Sequence, residues 1–374
     1  MDMIQLGPGD LQVGGVLPWP VFDSQERLLL KQGAVIGSPR QLESLLLRGV
    51  YRSSTEEGGR RPAAEAREVP DNSTPFERLD GMIRRVPGLL DNVLEAREGA
   101  AERIGRFADE LDALYKEAPH ALIGAVHLVH EYEYSQIHPV HVAILCRMMA
   151  GAQGYADDDM RSLLAAALTQ NVAMLKLQDE LQYHQGPLSD EQRQQITAHP
   201  ARAVQLLRAA GVKDRRWLAA VMQHHERMDG RGYPLGISGN ALGLDAKLIA
   251  LGDRYAAMVS SRAYRAARES REALKDFFLH KGEFCEEALT LAFIREIGVY
   301  PPGSFVLLSN GEAGVVIRKG KEAIRPVVSA YVSPRGAPYA RPFRRDCAVG
   351  DYQVRNTIKP DVSIPINLST LWAV

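Results

Sequence analysis

Two adjacent imidazoles open the stretch of the chain best equipped for chemistry, His224-His225-Glu226-Arg227-Met228-Asp229-Gly230-Arg231-Gly232-Tyr233-Pro234. Neutral imidazole nitrogens suit transition metals, and two in succession can approach one metal cluster from a single backbone point. Glu226 and Asp229 add carboxylates. Gly230 and Gly232 permit positive φ and close backbone approach, and Pro234 stiffens the exit. Any one dipeptide of the run is ordinary turn material; the whole run reads as a built site. Asp253 stands out for another reason. It lies inside Leu248-Ile-Ala-Leu-Gly-Asp-Arg-Tyr-Ala-Ala257, an apolar helical run in which an unpaired carboxylate is costly. Arg254 is a poor partner, because neighbours on a helix face apart. A zinc-protease reading that starts at His225-Glu226 fails, since the second histidine of HExxH would fall at Asp229.

The run matches HHExxDGxGYP, the signature of the HD-GYP family, at every fixed position, and the chain resembles that family over roughly residues 119–300. The resemblance implies an all-α metal-dependent phosphohydrolase domain whose usual substrate is the bacterial second messenger cyclic di-GMP. By local pattern it implies metal ligands at His138 (in His-Pro-Val-His-Val-Ala), His199 (in Thr-Ala-His-Pro), His224, His225 and Asp253. It also implies substrate contacts from Tyr233 and from Arg262 and Arg265, with Arg231 nearby. The two downstream arginines, at i,i+3, would share a face if the stretch is helical, and they suit phosphate through bidentate donors; solvated surface arginines are the plain alternative. His127, His130, His141, His184 and His280 read as surface or satisfied histidines.

The resemblance fails at five positions. The family's His-Asp dyad falls on Gln170-Asn171, its following Lys on Met174, a Glu one turn before the first His on Tyr134, and a second Asp on Ala256. A carboxylate can bridge two metals with both oxygens, whereas Asn171 offers one neutral oxygen and an NH2 group that repels cations. Gln170 replaces a good ligand by a weak one. With Tyr134 and Asn171 in place of two carboxylates, Asp253 is the only one of the three left, and several divalent ions would be poorly neutralised in a partly dry site. No residue is therefore assigned a catalytic role. The expected cofactor is at most one divalent transition metal (Fe, Mn or Zn). The expected function is a degenerate module of cyclic di-GMP signalling that binds the nucleotide or a partner such as a GGDEF-type cyclase. The competing expectation is an active phosphodiesterase in which amides serve as ligands.

The elements that must position these groups follow from pattern. Residues 119–300 read as helical throughout, with starts at Asp158, Ser189, Asp214, Asp245 and Ser270, and Gly282 closing the last helix. Residues 1–52 read as a small α+β domain, with strands at Leu11–Val13 and Arg27–Leu30 and a helix from Ser38 to Gly49. Residues 53–73 read as a flexible linker. Residues 74–118 carry an apolar helical stripe, begun by a capping box at Thr74 and kinked or split at Pro87-Gly88. That stripe suits either a homodimer face or packing on its own domain. From residue 301 strand-type runs appear at Phe305–Leu308, Ala313–Ile317 and Arg325–Val332, the first two joined through Asn310-Gly311. The fold class expected is mainly α, with a β-rich C-terminal domain.

Composition sets the outer bounds. The chain has 374 residues, 45% of them hydrophobic and 24% charged, with a formal net charge of −1. These values fit a globular protein of two or three domains and argue against a dedicated nucleic-acid or membrane-surface binder. Three unpaired cysteines (Cys146, Cys285, Cys347) and no apolar run of membrane-spanning length give a cytoplasmic expectation.

Overall fold

The structure, a computed structural model, describes residues 3–6, 17, 20–22, 28–30, 50–53, 73–260, 269–282, 285–350, 352–359, 364 and 366–373. It forms two compact units, residues 1–71 and 72–374. The first unit contains a four-stranded antiparallel sheet, ordered β1 (Met3–Leu6), β4 (Val50–Ser53), β2 (Val21–Phe22), β3 (Leu28–Leu30). β3 falls within the strand expected at Arg27–Leu30. The strand expected at Leu11–Val13 and the helix at Ser38–Gly49 lie outside the described residues, as does the linker apart from its ends; Ser53 closes β4.

The second unit is mainly helical. α1 (Pro75–Leu94) and α2 (Ala100–Glu117) lead into α3 (Pro119–Leu128) and α4 (Tyr134–Ala152). α5 (Asp157–Thr169), α6 (Leu175–Tyr183), α7 (Asp190–Ala209), α8 (Arg215–Gln223) and α9 (Leu244–Val259) follow. α10 (Ser270–Leu279) and α11 (Glu287–Ile297) complete the bundle. A five-stranded antiparallel sheet comes next, built from β5 (Phe305–Leu308), β6 (Ala313–Arg318), β7 (Val327–Val332), β8 (Pro338–Asp346) and β9 (Val354–Thr357). Its order is β8-β7-β6-β5-β9. A short α12 (Leu368–Trp372) packs on the sheet and on α1.

α4 is the axis. It is buried on nearly every side, from Ile137 to Ala150, as a helix apolar all round must be. α5 and α9 pack against it. At Gly252 a Cβ would stand 3.3 Å from the Val142 carbonyl oxygen and 3.5 Å from Cys146 Sγ. That glycine therefore lets α9 approach α4 closely, and it immediately precedes Asp253.

The stripe of α1 (Leu79, Met82, Ile83, Val86, Leu90, Val93) is buried in the same helical core, so it packs on its own unit. Pro87 does not divide α1. Burying six such side chains contributes on the order of 10 kcal/mol, more than the ~3 kcal/mol that an internal proline costs. The chain breaks instead after Glu95, where Ala96 and Gly99 adopt positive φ. Thr74 makes the expected capping box with Glu77, and Ser189 makes another with Gln192. Asp214 caps α8 through the Arg216 and Trp217 amides. Asp158 does not cap α5: the cap is Ala156, and Asp157, Asp158 and Asp159 occupy the first turn, where carboxylates complement the helix dipole. Asp245 likewise lies inside the first turn of α9, bonded to Arg216 and Tyr155.

Candidate metal centre

Two helices, α7 and α8, bring three histidines together. α7 delivers His199 from its interior, while α8 ends at Gln223 so that His224 and His225 follow at its C-terminus. His199 donates Nδ1–H to the Ile196 carbonyl at 2.6 Å, and His224 donates Nδ1–H to the Val221 carbonyl at 2.7 Å. A carbonyl can only accept, so both tautomers are fixed and both Nε2 atoms carry lone pairs. Those two Nε2 atoms stand 3.1 Å apart. Burial, then the neighbouring His224, pushes His199 down to about 3, and burial also lowers His224 and His225. At neutral pH no proton separates the two lone pairs, an arrangement that a cation between them relieves. The ligand atoms of His199, His224 and His225 all lie within 4.8 Å of one another. The donor set therefore fits a transition metal.

His138 and Asp253 form a second, adjoining pair. His138 Nε2 and Asp253 Oδ1 are 2.7 Å apart, and Gln170 Nε2 donates to the same oxygen at 3.4 Å. Burial alone would raise the Asp253 carboxyl. The hydrogen bond and charge of His138, with His225 and His224, outweigh it and hold the carboxyl well below its ordinary value. Arg254 turns away and pairs with Asp276 at 3.0 Å.

A cavity of about 170 Å3 opens on this group, lined among others by His138, His225, Asp253, Tyr233, Asn171 and Met174. Asn171 is on its wall; Gln170, His199 and His224 are not among its lining residues. Gln170 Oε1 and Asn171 Oδ1 are buried without a hydrogen-bond partner among the described residues. The Tyr134 ring stacks on His138 at 4.5 Å, covering the imidazole rather than offering it a carboxylate.

The turn after the histidines is built by its own residues. Glu226 Oε1 accepts from the Leu235 amide at 2.6 Å and the Gly236 amide at 3.2 Å. Asp229 accepts from the Arg227 guanidinium and the Arg231 amide. Gly230 has φ +74°, and a Cβ at Gly232 would stand 2.5 Å from the Arg227 amide nitrogen. The Tyr233–Pro234 peptide bond is cis. Tyr233 packs its ring on His225 at 4.8 Å, so it is part of the cavity wall rather than an exposed anchor. Arg231 is exposed. Arg262 and Arg265 lie outside the described residues.

Two features escaped the sequence. α6 contributes Gln178 and Gln182 to the cavity wall; their i,i+4 spacing after Met174 was the available signal. His141, one turn beyond His138, is fully buried with neither ring nitrogen partnered among the described residues. It is thus neither a surface nor a satisfied histidine, because α4 has no solvent face there. His130 is half-satisfied, with Nε2 unpartnered. His127 is satisfied by the Ile123 carbonyl and the Tyr255 hydroxyl. His184 and His280 reach backbone carbonyls.

Residues 109–285 match the HD domain family. A cyclic di-GMP phosphodiesterase of Pseudomonas aeruginosa is 29% identical over 230 residues, 61% of this chain and 55% of that protein. The cyclic di-GMP phosphodiesterase response regulator RpfG of Xanthomonas campestris is 28% identical over 156 residues, 41% of this chain and 40% of RpfG. The chain thus spans about half the length of these relatives or less. Among solved structures, an HDG"Y"P protein from Bdellovibrio bacteriovorus shares the fold, with a TM-score of 0.54 at 15% identity, covering 78% of this chain and 98% of that one.

Proposed function

We propose that this chain, whose residues 109–285 match the HD domain family, serves cyclic di-GMP signalling as a nucleotide-binding HD-GYP module with little or no hydrolytic turnover. The observation that carries this reading is the pairing of a retained cation site with a disarmed cavity wall. His199 and His224 present facing Nε2 lone pairs at 3.1 Å, with His225 beside them. Asn171 and Met174 line the same cavity as His225, and neither an amide nor a thioether can take or give a proton near neutral pH.

His199, His224 and His225 would hold one divalent transition ion, with Asp253 as the nearest carboxylate. A cation there supplies positive charge to a phosphate group. The remaining work belongs to the protein's own side chains. Tyr233 fixes the His225 ring, Gly232 and Glu226 hold the turn that carries Tyr233, and Gln170 steadies the Asp253 carboxylate. The cavity, at about 170 Å3, is below the ~300 Å3 of ordinary small-ligand pockets. It therefore takes one phosphate-bearing end of the dinucleotide, not the whole of it. A GGDEF-type partner remains the competing ligand for the same module.

A second reading has its own support. The unpartnered Gln170 and Asn171 carboxamide oxygens are available as neutral ligands, which would assemble a larger, weakly active cluster. Elemental analysis of the dialysed protein separates the two. One or fewer transition-metal ions per chain is expected; two or more would favour the active phosphodiesterase.

A further inference from the structure

A cavity of about 380 Å3 shares no lining residue with the metal centre. It lies where β6, β7 and β8 meet the starts of α1 and α3, with α12 beside them. Its volume falls within the ~300–1,000 Å3 range of small-ligand pockets. Two aromatic rings form part of the lining, Phe76 and Trp372, edge to face at 5.1 Å. The indole is seated on α3 at Gly124, where no side chain intervenes. Strand register sets the charged side. Arg318 pairs with Val327, and Arg344 pairs with Ser329, two residues along β7. Residues opposite one another or two apart share a face, so Arg318, Val327 and Arg344 face the same way. All three line the cavity.

Polar accounting gives the second observation. Trp372 Nε1 and His120 Nδ1 are buried without a hydrogen-bond partner among the described residues, and both residues line the cavity. A buried donor left unpaired costs about 1–3 kcal/mol. Neither Arg318 nor Arg344 is paired with a carboxylate among the described residues. The one acid on the lining, Glu117, is held by Arg78 at 2.6 Å.

We propose that this cavity binds a small planar aromatic anion, its ring against Phe76 and Trp372 and its acid group between Arg318 and Arg344. An apolar occupant would leave the indole N–H unpaired and gain nothing from the guanidinium groups. An inorganic anion would leave the aromatic lining uncovered. A ligand with both a ring and an acid group uses every feature, including an acceptor for the indole. Because the lining comes from the helical bundle and from the sheet, the bound ligand joins the two.

Titration calorimetry on the full chain tests this with two probes, guanosine 5′-monophosphate and 1-naphthoate. They stand for nucleotide and non-nucleotide sources of the same chemistry. At least one is expected to bind with a sub-millimolar Kd; the tighter of the two identifies the source. Arg318→Glu combined with Arg344→Glu, both at exposed positions, is expected to weaken that probe by at least about tenfold. Trp372→Phe, which keeps a ring but loses the donor, is expected to weaken it by about threefold or more. Circular dichroism and unchanged metal content confirm that the variants remain folded. Absence of binding by both probes at millimolar concentration, or binding unchanged in the double arginine variant, would overturn the proposal.

Discussion

A neutral imidazole whose Nδ1 is committed to a backbone carbonyl has one lone pair left, and at His199 and His224 these lone pairs point at one another. Replacing either histidine by Ala should therefore remove the bound ion. Metal per chain is expected to fall at least tenfold in His224→Ala, while Gln170→Ala leaves most of it. Retention of metal in His224→Ala would show that the ion sits elsewhere. The converse change belongs at the same scale. Tyr134→Glu, Gln170→His and Asn171→Asp together restore one imidazole and two carboxylates beside Asp253. Occupancy should then rise above one ion per chain, because added negative charge offsets that of a second cation. An unchanged count by mass spectrometry would contradict this.

At the scale of elements, the site depends on how closely α9 lies on α4. Gly252→Val would press two methyl groups toward the Val142 carbonyl and Cys146, moving α9 outward and Asp253 from His138. Overpacking of this kind costs about 1–3 kcal/mol. A lower Tm with reduced metal affinity is expected; an unaltered Tm would mean that the helices do not constrain the pair. Gly252 also shows what the sequence offered and withheld. The helical pattern, the capping box at Thr74, the helix start at Ser189 and the Asn310-Gly311 hairpin were all legible, because each is a local rule. The run His224–Pro234 and the odd carboxylate Asp253 were legible as a candidate site for the same reason. The uninterrupted passage of α1 through Pro87 was not, because burial across the bundle decided it. Nor was the role of α6, nor the interior position of His141, which depends on α4 lacking a solvent face.

At the scale of the whole molecule, the second unit joins a helical bundle to a five-stranded sheet, and the buried carboxylate of Glu312 braces that sheet. Glu312 accepts from Arg345 at 2.7 and 2.8 Å and from the Tyr339 hydroxyl at 2.8 Å. Arg345 first, against the opposing effect of burial, holds the Glu312 carboxyl down at about 2 rather than its ordinary 4.5. A carboxyl lowered on folding stabilises the fold fully above its unfolded value, and that stabilisation is lost as pH falls from about 4.5 toward about 2. The loss should be on the order of 2 kcal/mol. Thermal melts from pH 6 to pH 2.5 should therefore fall more steeply for the wild type than for Glu312→Gln, which is less stable at pH 6. Parallel curves would show that Glu312 does not report the sheet's stability.

The central claim, that the module keeps a cation site but has lost the means of turnover, is tested most directly by one measurement. The full chain is loaded with Mn, Fe or Zn, excess protein is mixed with radiolabelled cyclic di-GMP, and both retained and hydrolysed nucleotide are counted over hours. The account predicts nucleotide retained intact, with hydrolysis slower by several orders of magnitude than an ordinary enzyme turnover of about 10 per second. Rapid, metal-dependent conversion to a linear product, abolished in His225→Ala, would contradict it.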